Sequence, residues 1–140
     1  MATPKSRTLA AHCSLEGATL NISYESSKVA NRLRRELERR LGKKGVALAW
    51  QDQPQASEVR IRFVRIDQGN QFLRWLLPFV APAVVEIEGE INASGRTAKP
   101  FHYIRKTHFA MFGGAAKYMV GVCADRLAGD LTKEILRMVA

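Results

Sequence analysis

With 140 residues, 46% hydrophobic and 25% charged, the sequence has the size and composition of one globular domain, which excludes a disordered or fibrous chain. Charge is the outlier: 22 Lys and Arg against 13 Asp and Glu leave a net +9. Such an excess favours anionic partners by long-range attraction and carries no information about fold.

Residues 1–7 read as a flexible tail and 8–140 as a single domain. The start is short and polar, without the apolar core of a signal peptide, so the chain as given would stay in the cytoplasm unless a leader precedes it. Thr8–Leu15 suits a first strand and Gly17 a turn. Ala18–Tyr24 suits a second strand, with Leu20, Ile22 and Tyr24 on one side. Ser26 or Ser27 caps a helix that runs to about Leu41 and is ended by Gly42. Val29, Ala30, Leu33, Leu37 and Leu41 form its buried stripe, and Glu36 and Arg40 form a favourable pair one turn apart. Its other face is dense in charge. Arg32, Arg35, Arg39, Lys43 and Lys44 are either a solvated surface or a site for nucleic acid or anionic membrane, and steep salt dependence would distinguish the two.

Val46–Trp50 is a short strand and Gln51–Ala56 a polar linker broken by Pro54. The next strand alternates: Val59, Ile61 and Phe63 point one way, while Arg60 and Arg62 point the other way with Val64 and Ile66. Asp67-Gln68-Gly69-Asn70 is turn chemistry, and the stretch after it, Gln71–Pro82, is largely apolar. It is too short to span a bilayer as a helix, which needs about 20 residues, and Pro78 and Pro82 argue against a long helix. Such a loop either packs back over the sheet or forms an interaction patch of Phe72, Arg74, Trp75, Leu76, Leu77 and Phe79. Val85, Ile87 and Ile91 then alternate with Glu86, Glu88 and Glu90. If this strand lies antiparallel beside the arginine strand, the charges pair across them, and a slip of one residue would drive glutamates into the core.

Asn92–Gly95 is a hairpin turn. Thr97–Phe109 supplies the next strand, starting after Pro100 if it is central, with Phe101, Tyr103, Thr107 and Phe109 on one face and His102, Ile104, Lys106 and His108 on the other. The two histidines on that strand are too far apart to ligate one metal closely, and no acidic or cysteine partner completes a site, so neither a metal nor another cofactor is expected. Met111–Gly114 leads into a last helix, Ala115 to about Met138, with Ala116, Val120, Ala124, Leu127, Leu131, Ile135 and Met138 as its stripe. Gly121 and Gly129 weaken that helix and suit a close approach to the sheet. Cys13 and Cys123 are either small buried hydrophobes or a disulfide from first strand to last helix.

The pattern predicts an α+β fold: a two-layer sandwich with a mostly antiparallel sheet of four to six strands and both long helices on one face. No nucleophile with a base, pair of acids in contrasting environments or small-molecule site stands out, so an enzyme is not expected. The strand ending in Asp67, Gly69-Asn70 followed by Leu73-Arg74, the Val84–Glu90 strand, the Ser94-Gly95 turn, Phe112-Gly113-Gly114 and a closing helix with Ala124, Leu127, Ala128 and Ile135 together resemble domain of unknown function family 4410. That resemblance implies a small alpha/beta domain associated with bacterial envelope lipoproteins, with no catalytic residues to carry over. The expected function is therefore a non-catalytic interaction domain that self-associates or docks on an envelope partner through residues 72–80. The alternative is the basic face of helix 28–44.

Overall fold

The computed structural model describes residues 7–21, 26–50, 57–67, 83–93, 97–107 and 116–139. Its elements are β1 (Arg7–Ser14), β2 (Thr19–Asn21), α1 (Ser26–Gly42), β3 (Val46–Trp50), β4 (Glu58–Asp67), β5 (Ala83–Asn92), β6 (Lys99–Thr107) and α2 (Ala116–Val139). Six strands make one open mixed sheet in the order β3-β1-β4-β5-β6, with β2 beside β4. The two longest ladders, β4 with β5 and β5 with β6, are antiparallel. Three shorter ones, joining β1 to β3, β1 to β4 and β2 to β4, are parallel. The helix α1 serves as the crossover that parallel pairing of β1 with β3 requires. Strands β1 and β2 occupy successive stretches of one edge of β4, joined by a turn in which Gly17 takes φ 76°.

Both helices lie on one face of the sheet. Val29, Ala30, Leu33, Leu37 and Leu41 of α1 and Val120, Ala124, Leu127, Leu131 and Ile135 of α2 are buried against Val59, Ile61, Phe63, Val85, Ile87 and Ile91. Each large apolar side chain so enclosed contributes about 1.5–3 kcal/mol relative to exposure. The spacing of four in α1 produces this stripe because residues four apart stack on one side of a helix.

Two details depart from simple alternation. The β4–β5 register shifts between Phe63 and Arg65, so Val64 is an extra residue in the ladder. The parity after it reverses: Arg65, not Ile66, joins Arg60 and Arg62 on the water side, and Ile66 is buried in the core. The expected placing of Ile66 on the arginine side is thereby corrected. Strand β6 also begins at Lys99 and includes Pro100, which is tolerated because β6 is an edge strand and need not donate on its outer side. Opposite Phe101 lies Gly89, where a side chain would collide with the Arg60 carbonyl oxygen and the Phe101 ring.

Candidate functional site

The sheet has one face roofed by the helices and another lined with charge. On the second face Arg60 stands opposite Glu90, Arg62 opposite Glu88 and Arg65 opposite Glu86, the cross-strand pairing that alternation predicts. Arg62 is ion-paired to Glu88, and His102 to Glu86. Glu58 is buried, and its carboxylate accepts from Arg60 Nε at 2.8 Å and lies 3.0 Å from His12 Nε2. A groove of about 700 Å³ runs over Arg60, Arg62, Glu88, Glu90 and His102. Chemically this surface is a network of matched charges. Among the described residues no three His, Cys, Asp or Glu side chains converge on a point where a metal could bind.

The helix layer concentrates the positive charge and is stitched by arginines. Arg32 Nε and Nη2 donate to both oxygens of Asp125 at 3.0 and 2.8 Å, joining α1 to α2 in a bidentate pair. Glu36 accepts from Arg39 Nη2 at 2.8 Å and from Arg40 Nε at 3.2 Å. The Arg39 hydrogen bond, with Arg40 adding to it against the opposing effect of burial, holds the Glu36 carboxyl below the usual range. A β-carbon on Gly121 would lie 2.7 Å from Arg32 Nη1, and one on Gly129 would lie 3.0 Å from Arg40 Nη1. Gly121, Asp125 and Gly129, recurring every four residues, thus form a stripe that receives Arg32 and Arg40. These glycines admit the arginines of α1, a correction to the expectation that they let α2 approach the sheet. Because Arg40 reaches Gly129 with the free end of a flexible side chain, Gly129→Ala should raise stability by up to about 1 kcal/mol through helix propensity, read as a higher urea midpoint.

On its far flank α2 is tied to the edge strand. Arg105 Nε and Nη2 donate to Asp130 at 2.8 and 2.6 Å, and Lys99 is ion-paired to the buried Glu134. Burial, with Glu134 and Asp130 nearby, raises the Tyr103 hydroxyl above its ordinary pKa. Midway along α1, Arg34 stacks 4.7 Å from the centre of the Trp50 ring, whose Nε1 donates to Glu38. Both cysteines are free thiols, so the disulfide alternative does not hold. Burial pushes Cys13 up to about 11, partly offset by Arg34, and raises Cys123, whose Sγ lies 3.1 Å from Thr107 Oγ1. At neutral pH each is a protonated thiol with little nucleophilic character.

The residues singled out from sequence divide unevenly. Phe72, Arg74, Trp75, Leu76, Leu77 and Phe79 lie outside the described residues, as do Ile22, Tyr24, His108 and the Met111–Gly114 step. Of the basic set, Arg32 and Arg39 are engaged in ion pairs within the helix layer. Arg35, Lys43 and Lys44 are exposed and make no ion pair among the described residues. Sequence reasoning missed Asp125 and Asp130 as the partners that clamp α2. Their signal is slight, two acids five positions apart that fall on opposite flanks of one helix.

No described helix is long and apolar enough to cross a membrane. The fold is shared with solved structures of low sequence identity. Protein XCC0632 from Xanthomonas campestris, of family DUF330, is 8% identical with a TM-score of 0.61 over 97% of this chain and 90% of its own. A putative neuraminyllactose-binding hemagglutinin homolog from Helicobacter pylori is 10% identical with a TM-score of 0.51, covering 96% and 91%. Rare lipoprotein B from Shewanella oneidensis is 14% identical with a TM-score of 0.50, covering 90% and 94%. No curated protein matches the sequence. The family model described as Domain of unknown function (DUF4410) matches residues 16–114, most of the chain and five of the six strands in full, and the chain belongs to that family.

Proposed function

We propose that the chain is a non-catalytic interaction domain of the bacterial cell envelope that associates with further copies of itself through the apolar segment 72–80. One observation carries the reading. Strands β4 and β5 pair directly, with Asp67 opposite Val84, yet the connection between them is 68–82. A hairpin needs about two to five residues to turn, and the surplus here holds Phe72, Trp75, Leu76, Leu77 and Phe79. Leaving so much apolar surface in water costs about 25 cal/mol per Å². The same end of the sheet also gives off the connections after β2 and β6, because Asn21 pairs with Asp67 and Thr107 with Ala83. These bring Ile22, Tyr24, Phe109, Met111 and Phe112 into chain segments that start beside it. Envelope placement is supported by the family resemblance and by the fold held in common with a lipoprotein.

Sedimentation equilibrium of the wild type and of the Trp75→Ser/Phe79→Ser double variant tests the reading. The wild type should associate and the variant should be a monomer with an unchanged circular dichroism spectrum. A variant that fails to fold would make the segment part of the core, and one that associates as before would end the proposal.

A further inference from the structure

The outer surface of the helix layer gathers cations that neither helix displays alone. Lys28, Arg35 and Arg39 lie along the outward side of α1, and Arg126, Lys133 and Arg137 along the outward side of α2, all exposed. The acids beside them are already engaged: at the seam Asp125 pairs with Arg32 and Glu36 with Arg39 and Arg40, and on the far flank Asp130 pairs with Arg105 and Glu134 with Lys99 and Arg137. Lys28, Arg35, Lys43, Lys44, Arg126 and Lys133 have no ion pair among the described residues. Arg32 meets Gly121 and Asp125 while Arg40 meets Gly129, so the helices run side by side in the same direction. Their outward rows therefore make one broad plateau of positive charge on the side away from the sheet's matched charges.

We propose that this two-helix plateau docks flat on the headgroups of an anionic lipid bilayer. Its complement is a plane of negative charge. The cations are spread over two parallel helices and do not line a groove, so a plane meets both rows at once. A duplex is a convex rod about 20 Å across that reaches base edges through an inserted helix or ribbon, and the described surface offers neither a projecting helix nor an aromatic stacking row. Attraction of basic residues to anionic headgroups acts within a Debye length, about 10 Å at 0.1 M salt, which exposed side chains satisfy only when the plateau lies against the surface.

Flotation with phosphatidylcholine vesicles, with and without about a third phosphatidylglycerol, tests this on the full chain. The wild type should bind only the anionic vesicles, and raising NaCl from about 50 to 500 mM should weaken binding on the order of tenfold or more. Lys28→Glu/Arg35→Glu on one helix and Arg126→Glu/Lys133→Glu on the other should each produce a loss of similar size while leaving the melting curve unchanged. The Trp75→Ser/Phe79→Ser variant should still bind, which separates this surface from the apolar segment. Binding that ignores lipid charge, or that survives reversal on α2, overturns the proposal. So does a short DNA duplex that strips the protein from vesicles at equal phosphate concentration, since the surface would then belong to nucleic acid.

Discussion

Gly89→Ala should leave the chain unable to fold, or fold it with at least about 3 kcal/mol less stability, a large share of the 5–15 kcal/mol typical of a domain. The added methyl would sit 1.8 Å from the Arg60 carbonyl oxygen and 2.8 Å from Phe101 Cζ. The ring could swing away, but the carbonyl belongs to the backbone of β4, which pairs with β5 on one side and with β1 and β2 on the other. Moving it means moving the centre of the sheet. Phe101→Ala combined with Gly89→Ala should therefore fail to rescue the fold, and this separates a backbone collision from simple crowding of a ring. Urea unfolding followed by circular dichroism measures both, and a wild-type midpoint for Gly89→Ala would contradict this geometry.

The second large effect is expected at Phe63, the largest fully buried side chain among the described residues and a member of the strand that pairs with three others. Phe63→Ala removes its contacts with both helices' apolar layer and leaves a cavity that the rigid sheet cannot close, at a cost of about 3–5 kcal/mol. For a domain of this size that lowers the melting temperature by roughly 10–20 °C. Val64→Ala, one position along but half-buried at the bulge, should cost less than half as much. Calorimetry of the two variants side by side checks the contrast, and equal shifts would mean that Phe63 is not enclosed as described.

The sequence makes the contrast between Phe63 and Arg62 plain, because alternation of apolar and charged residues reports which way a strand faces. It likewise exposes the arginine–glutamate pairing between β4 and β5 and the stripe of four leucines and valines in α1. The bulge was not legible: Val64 fits either side of a strand, and only the partner's register reveals the extra residue. Strand order was hidden for a related reason. Short apolar strands such as Val46–Trp50 carry no mark of which neighbour they take, so the parallel placing of β1 between β3 and β4 emerges only from the assembled sheet. The glycines of α2 were read as space for the sheet because a missing side chain says that something comes close without saying what. At the candidate site, the charge of α1 was visible, but the engagement of Arg32 depends on Asp125, 93 positions away.

The clamps on α2 have a mechanical consequence. Asp125 is gripped by Arg32 from one flank and Asp130 by Arg105 from the other, so torque on the cylinder in either sense must stretch a two-pronged bond. Both clamps oppose rolling, and the axle-like helix holds Arg126 and Lys133 on its exposed side.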